Sequence, residues 1–255
     1  MSREPRSFRT PAIILKRRNF GESDRLLTVI TPDYGKLDVL AKGARKPTST
    51  KTGHVELFTV VDMLVNRGRN FSIATQVELT TPYLPLREDL QRGAYASYTA
   101  ELLDRFTMLG EDDFSTLYVL VTQTFQRLCD AREIRLATRY YEIRLLDITG
   151  FRPELKRCLL SGETIQPEDQ FFSFAEGGVI SPAAARHTTN LVPITLGALK
   201  VMRHMQRSPY EQVYMLQIPD SVHNEVERLL LGYIAYILES RLQSVDFIRR
   251  LRIKS

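Results

Sequence analysis

The sequence predicts two architectures in succession, a small closed β-barrel in residues 1–80 and an all-α helical domain in residues 81–255. The first part contains short apolar runs separated by Gly, Pro and Asn turns, without a helical period. From residue 86 onward, apolar residues recur every three or four positions, which is typical of amphipathic helices. Pro82 and Pro85 mark the boundary, because proline suits the interior of neither a strand nor a helix.

Five strands are predicted at about 11–18, 25–31, 37–42, 55–65 and 71–79. The turn from Thr31 to Lys36 favours a hairpin, because Pro32 fixes φ, Asp33 can hydrogen-bond the backbone ahead and Gly35 can adopt a positive φ. Asn66–Asn70 is a second hairpin turn. Five strands in about 70 residues predict a small closed barrel, and both an OB-fold and an SH3-like barrel fit the pattern.

Amphipathic helices are predicted at about 86–106, 114–128 and 134–148, and we expect their apolar faces to pack on one another. Residues 151–190 are interrupted by Gly and Pro and predict a small irregular module. Three further helices are predicted. The first spans 195–206, a short second helix follows a capping-box sequence that begins at Ser208, and the third runs from Ser221 to about Gln243. We expect these helices to pack against the first three.

Composition indicates a folded cytoplasmic protein. The chain has 255 residues, of which 43% are apolar, enough to build a core. It has no apolar run of about 18 residues that could span a bilayer, and residues 1–10 lack the apolar region of a signal peptide. Cys129 and Cys158 are too few for a disulfide framework, so we expect a reducing compartment.

The positive charge of the chain lies in its first third. Residues 1–80 contain 14 Lys and Arg against 8 Asp and Glu, a net charge of +6, whereas residues 81–255 contain 21 against 22, a net charge of −1. A mobile basic loop with Lys42, Arg45, Lys46 and Lys51 is predicted after the third strand. Such a surface attracts polyanions largely without regard to sequence, because binding releases condensed counterions.

Single-stranded nucleic acid is commonly held by a basic groove with aromatic rings on which bases stack. The predicted DNA-binding cations are Lys16, Arg17, Arg18, Arg25, Lys42, Arg45, Lys46 and Lys51. The candidate stacking rings are Phe8, Phe20, Tyr34, Phe58 and Phe71, some of which must fill the barrel.

No catalytic motif is found, since the chain lacks a Walker loop, a nucleophile elbow and a His-Glu-x-x-His sequence. We therefore expect a binding protein rather than an enzyme. One alternative is a helical adaptor whose barrel contacts RNA or protein. Another is a metal-dependent nuclease built on the acidic cluster of Glu22, Asp24, Asp33 and Asp38.

Four segments resemble the amino-terminal domain of the RecO family of bacterial recombination mediators. They are Ile13–Leu15, Gly21–Arg25, Thr31–Lys36 and Ala41–Arg45, in this order and spacing. The resemblance extends more weakly through residues 92–106 to Gly177 and Gly178.

The resemblance implies an OB-fold, a location in the cytoplasm at the nucleoid, binding of single- and double-stranded DNA, and annealing of complementary strands. It also implies association with RecR and with the C-terminal tail of single-stranded-DNA-binding protein, and thereby indirect action on RecA. No membrane is implied.

RecO relatives often carry two Cys-x-x-Cys pairs in the irregular module. In this sequence the matching positions are Cys158, Ser161, Ser181 and Ala184. Structural zinc requires four thiolate or imidazole ligands. We therefore expect a degenerate zinc ribbon without metal, and no other cofactor.

Overall fold

The computed structural model describes residues 6–47, 49, 53–68, 71–109, 114–186 and 188–254. The strands are β1 (Ser7–Phe20), β2 (Asp24–Thr31), β3 (Gly35–Ala41), β4 (Val60–Asn66), β5 (Ser72–Thr81), β6 (Gln170–Ser173), β7 (Gly178–Ile180) and β8 (Leu191–Ile194). The helices are α1 (Pro85–Glu88), α2 (Leu90–Phe106), α3 (Ser115–Asp130), α4 (Ile134–Ile148), α5 (Pro182–Ala185), α6 (Leu196–Arg207), α7 (Tyr210–Tyr214), α8 (Asp220–Leu238) and α9 (Gln243–Lys254).

The first five strands form a closed barrel in the order β1-β2-β3-β5-β4. All neighbouring pairs are antiparallel except β3 and β5, which run parallel. A five-stranded barrel followed by helices confirms the predicted fold class, including the OB-fold that the family resemblance implied. β4 begins at Val60 rather than near residue 55, and Phe58 just before it has a φ of +62°.

β1 pairs with two neighbouring strands, and its pattern of buried residues changes along its length. Phe8, Thr10 and Ala12 alternate inward while this half of the strand pairs with β4. Pairing with β2 begins at Ile13, and a bulge between Ile14 and Lys16 shifts its register. From Lys16 to Phe20 every residue is exposed, so beyond the bulge both faces of β1 reach solvent.

The β2–β3 hairpin forms as predicted, and in the described part of the chain the Thr31 hydroxyl, rather than Asp33, holds its turn. Thr31 Oγ1 accepts a hydrogen bond from the Tyr34 N–H (3.1 Å) and donates one to the Gly35 carbonyl (3.0 Å). Gly35 has a φ of +63°, as the predicted turn requires.

Contacts divide the chain into two compact units, residues 1–130 with 243–255 and residues 131–242. The first unit therefore contains the barrel, α1–α3 and α9. Helices α2 and α3 pack on the barrel strands β1 and β2. The buried Phe58 meets Phe125 of α3 edge-on, with ring centroids 5.5 Å apart.

Helix α9 packs along α2 within the first unit. The Glu101 carboxylate of α2 accepts hydrogen bonds from the backbone N–H groups of Gln243 (3.0 Å) and Ser244 (2.9 Å) and from the Ser244 hydroxyl (2.5 Å). These donors belong to the first turn of α9, whose N–H groups have no partner within the helix. Glu101 therefore caps α9.

The second unit is built around α4, which packs against α6, α7 and α8. A three-stranded sheet in the order β7-β6-β8 forms the irregular module. The prediction that α4 would complete a bundle with α2 and α3 is therefore wrong. Its apolar face is satisfied by helices later in the sequence.

Two predictions about the last helices are also wrong. The helix predicted from Ser221 to about Gln243 ends at Leu238, where Glu239 adopts a left-handed φ of +50°, and α9 follows. No side-chain cap starts α7, because Ser208 lies 3.3 Å from the His204 ring instead.

The predicted boundary near residue 80 falls at the end of β5, but the division into domains 1–80 and 81–255 stays a prediction. Within the described ranges, no helix is long and apolar enough to cross a membrane.

The Glu101 cap predicts a measurable loss of stability in Glu101→Ala. Capping substitutions cost about 0.5–2 kcal/mol, and this one removes three hydrogen bonds to a carboxylate, so we expect about 1–2 kcal/mol. Chemical denaturation measures the change in the free energy of unfolding. Glu88→Ala removes an exposed carboxylate that makes no side-chain hydrogen bond within the described residues, and it is the matched control. Equal stability of the two variants would contradict the cap.

Candidate nucleic-acid interface

The basic loop after β3 is joined to the turn between β1 and β2. Asp24 accepts a hydrogen bond from the Gly43 N–H (2.8 Å), and the Arg45 N–H donates to the Ser23 carbonyl (2.9 Å). Gly43 has a φ of +68°, and Ala44 is buried in the barrel core. Residues 42–46 are therefore held against the barrel, which corrects the prediction of a mobile loop. Lys51 lies outside the described residues.

Lys42, Arg45 and Lys46 are exposed on this loop. Lys42 and Arg45 form no ion pair within the described part of the chain. The Arg45 side chain donates a hydrogen bond to the Gly21 carbonyl (3.3 Å), on the turn between β1 and β2. The loop therefore presents positive charge to solvent.

Two of the five candidate stacking rings lie at the surface beside this loop. Phe20 ends β1 and is 41% exposed, and Phe71 precedes β5; their rings meet edge-on with centroids 5.6 Å apart. Phe8 is buried and stacks on Tyr34 at 3.8 Å, while Phe58 is buried against α3. We call the surface formed by Phe20, Phe71, Lys42, Arg45 and Lys46 the rim.

The other predicted cations that the structure describes are Lys16, Arg17, Arg18 and Arg25, and each pairs with a carboxylate. A cavity of about 520 Å³, here called the groove, opens between the outer face of β1–β3 and α2. Its charged lining residues are Lys16, Arg17, Arg18, Lys36, Asp38, Glu101 and Asp104.

Within the groove, Asp104 of α2 binds two lysines. Its Oδ2 pairs with Lys16 and its Oδ1 lies 2.7 Å from the Lys36 ammonium. Lys36 also donates to the carbonyls of Asp104 (2.7 Å) and Thr107 (3.1 Å), at the C-terminal end of α2. The Lys36 and Asp104 side chains are only 11% and 13% exposed. Lys36 is therefore a structural cation that joins β3 to α2.

Burial opposes ionisation of the Asp104 carboxyl, but hydrogen bonds and charge attraction from Lys16 and Lys36 outweigh it. The pKa of Asp104 is therefore lowered from its ordinary value. The groove keeps this carboxylate charged under all conditions near neutral pH.

Arg17, Arg18 and Arg25 also have acidic partners. Arg17 and Arg25 share Glu56, with Arg25 at 3.2 Å, and Arg18 lies 3.9 Å from Asp38. Sequence reasoning placed all these cations on the barrel but missed Lys36 and Asp104 as site residues. Lys36 was obscured by its position in a turn motif, and Asp104 lies 66 positions beyond Asp38 with no local signal linking it to the barrel.

Two of the four acidic residues considered for a nuclease, Asp24 and Asp38, bind the backbone and the sheet instead. Asp24 binds the loop as described, and Asp38 accepts a hydrogen bond from the Thr28 hydroxyl (2.7 Å). Within the described residues, no group of three or more His, Cys, Asp or Glu side chains could hold a metal ion.

The positions that match zinc ligands do come together in the irregular module. The Ser181 N–H and hydroxyl lie 3.3 and 3.5 Å from the Cys158 sulfur. The Ser181 hydroxyl also accepts from the Ala184 N–H (3.4 Å) and caps α5. One thiol with neutral serine neighbours does not provide the four thiolate or imidazole ligands of structural zinc, so these residues do not fit the metal.

Two family models match the chain. The model described as recombination protein O N terminal matches residues 1–83, and the model described as recombination protein O C terminal matches residues 87–246.

Similar curated proteins match over nearly the whole chain. A protein of Roseiflexus sp. (strain RS-1), named DNA repair protein RecO, is 37% identical over 247 residues, covering 97% of this chain and 87% of that protein. A protein of the same name from Dehalococcoides mccartyi (strain ATCC BAA-2266 / KCTC 15142 / 195) is 33% identical over 236 residues, covering 92% of both. Another from Desulforamulus reducens is 31% identical over 247 residues, covering 96% and 94%.

Lys36 predicts a stability effect that depends on pH. Lys36→Ala leaves two carbonyls and the Oδ1 atom of Asp104 without their buried donor. We therefore expect the free energy of unfolding to fall by about 2–3 kcal/mol near neutral pH. Lys16→Ala removes only the exposed partner of Asp104, for which we expect less than about 1 kcal/mol.

Because the pKa of Asp104 is lower in the folded than in the unfolded chain, its carboxylate stabilises the fold fully above the ordinary value of 3.8. This contribution is lost as the pH falls through the folded pKa. The difference between the parent protein and Lys36→Ala should therefore shrink in acid, as denaturation at pH 7 and below pH 4 would measure. A difference independent of pH would contradict the role of Asp104.

Proposed function

Because the chain belongs to the RecO family of DNA repair proteins, we propose that it is a mediator of recombination that binds single- and double-stranded DNA through the rim and the groove. It anneals complementary strands and, with RecR, helps to load RecA on strands coated by single-stranded-DNA-binding protein. It works in the cytoplasm at the nucleoid and makes or breaks no covalent bond.

The rim is the observation that carries this proposal. It combines exposed cations, of which Lys42 and Arg45 have no ion pair within the described residues, with two surface rings, Phe20 and Phe71. A site for single strands combines cations that contact the phosphates with aromatic rings that stack on the bases. No pattern of base-reading side chains is required, so binding is independent of sequence.

Annealing follows from the same electrostatics. Two strands repel each other through their phosphates, and cations that neutralise both strands lower the cost of bringing them together. Base pairing can then begin without metal or nucleotide.

The protein partners call for a different kind of surface. A peptide tail is held by an apolar pocket with basic edges. Helices α2 and α9 enclose a cavity of about 280 Å³ with this chemistry, lined by Leu90, Tyr95, Ile248 and Arg252 among others. We assign the C-terminal tail of single-stranded-DNA-binding protein to this cavity, because its Arg252 can meet an acidic peptide.

The first prediction from this function concerns the rim. The triple variant Lys42→Ala, Arg45→Ala, Lys46→Ala should bind single-stranded DNA more weakly than the parent. Each lost phosphate contact lowers the slope of log K against log salt by about 0.7 units, so the slope should fall by up to about 2. Fluorescence anisotropy over a salt series measures both quantities. Exposed substitutions of this kind change stability by less than about 0.5 kcal/mol each, so the fold should remain.

The matched control for the rim variant is Lys156→Ala, Arg157→Ala, Lys200→Ala. It removes the same charge from exposed positions of the second unit. A control that weakens binding as much as the rim variant would reduce the effect to net charge. Unchanged affinity and slope in the rim variant would exclude the rim.

The second prediction separates the mediator from its alternatives. Complementary oligonucleotides mixed with the protein should form duplex faster than alone, in the absence of metal and nucleotide, as quenching of paired fluorophores would measure. The adaptor function predicts binding without faster annealing. A metal-dependent nuclease predicts no change until a divalent cation is added, and then loss of the strands.

A further inference from the structure

We propose that the carboxylates of Asp104 and Asp38 compete with DNA phosphates for Lys16 and Arg18. The groove then accepts a strand only when these two cations exchange a carboxylate for a phosphate. This inference rests on the proposed function and adds the residues that set its affinity. It concerns the groove, whereas the rim binds without such competition.

The two ligands of Asp104 differ in their freedom to leave. Lys36 is buried and is held by three oxygens, the Asp104 carboxylate and the carbonyls of Asp104 and Thr107. Lys16 is 52% exposed, and among the described residues its ammonium pairs with Asp104 alone. Lys16 can therefore turn to another anion without disturbing the joint between β3 and α2, while Lys36 cannot.

A similar arrangement is found across the sheet at Asp38. Its carboxylate is anchored by the Thr28 hydroxyl (2.7 Å), while Arg18 lies 3.9 Å away with a largely exposed side chain. Thr28 pairs with both Lys16 of β1 and Asp38 of β3 in the sheet register, so the two carboxylate–cation pairs flank one segment of the groove.

In each pair the carboxylate is fixed and the cation can exchange. An exposed ion pair is weakly held, because water screens it and two long side chains must be ordered. A phosphate offers the same charge to the cation and in addition releases condensed counterions from the strand. The exchange therefore favours DNA at low salt, and the remaining carboxylate repels the phosphate that has replaced it.

Asp104→Asn tests this competition. The amide removes the negative charge and keeps an oxygen that can accept a hydrogen bond from Lys36. We expect affinity for single-stranded oligonucleotides to rise about three- to ten-fold at low salt, the effect of one unit charge a few ångströms from a phosphate at high effective dielectric. The salt slope should change little, because Lys16 contacts a phosphate in both complexes and only the competing negative charge is removed.

Asp62→Asn is the matched control. Asp62 binds Arg9 (2.8 Å) in an exposed ion pair on β4, outside the residues that line the groove, and its substitution changes net charge by the same amount. Competition predicts a gain for Asp104→Asn well above that of Asp62→Asn. Equal gains would overturn the proposal, since they would reflect net charge alone.

The double variant Lys16→Ala, Asp104→Asn identifies the cation that is released. If Lys16 is the exchanging group, the gain from Asp104→Asn disappears in the Lys16→Ala background, and a gain that persists would overturn the exchange. Thermal denaturation shows whether Asp104→Asn is folded. If it is not, the same comparison is made with Asp38→Asn alone and combined with Arg18→Ala.

These outcomes are distinct from failure of the proposed function. Groove variants that behave like the control, together with weakened binding by the rim variant, would overturn the competition and leave DNA binding intact. A parent protein that binds no DNA would overturn both.

Discussion

The first compact unit depends on one buried ammonium. The Lys36 side chain extends from β3 into the groove. Its ammonium donates to two carbonyls at the end of α2 and pairs with the Asp104 carboxylate. A buried lysine is costly unless it is paired and hydrogen-bonded, so α2 must end where those oxygens meet it. The same helix carries Glu101, which caps α9. Lys36 thus fixes β3 on α2, and Glu101 fixes α9 on the same helix.

The cations of the barrel have two different roles that their residue type does not reveal. Those of the loop after β3 face solvent, with the loop itself held by Asp24 and Ser23. Those of β1 and β2 face carboxylates supplied by β3, α2 and the segment before β4. A net charge of +6 in residues 1–80 therefore overstates the positive charge open to a polyanion, because Asp104 is contributed from outside that segment.

Local patterns were sufficient to predict the five strands, their barrel and most helices. The Gly35 turn and the apolar runs of β1, β2 and β3 are signals of neighbouring residues, and the structure has a hairpin and strands at these places. What failed depends on distant residues. The partners of α4 lie in α6–α8, and α9 is a separate helix because Glu239 turns left-handed and Glu101, 142 positions before Gln243, supplies its cap. The ion pairs of the groove escaped prediction for the same reason, since sequence shows which cations exist but not which carboxylates reach them.

The order of segments in the first unit has a consequence for how the protein is made. Its final helix is encoded after the whole of residues 131–242, so a ribosome must deliver the second unit before α9 exists. Until then Ala94 and Tyr95 of α2, which are buried in the folded chain and line a cavity with α9, face solvent or a chaperone. Helix α9 therefore completes the first unit, and a chain truncated before residue 243 would retain every strand of the barrel yet expose the apolar face of α2 that α9 covers.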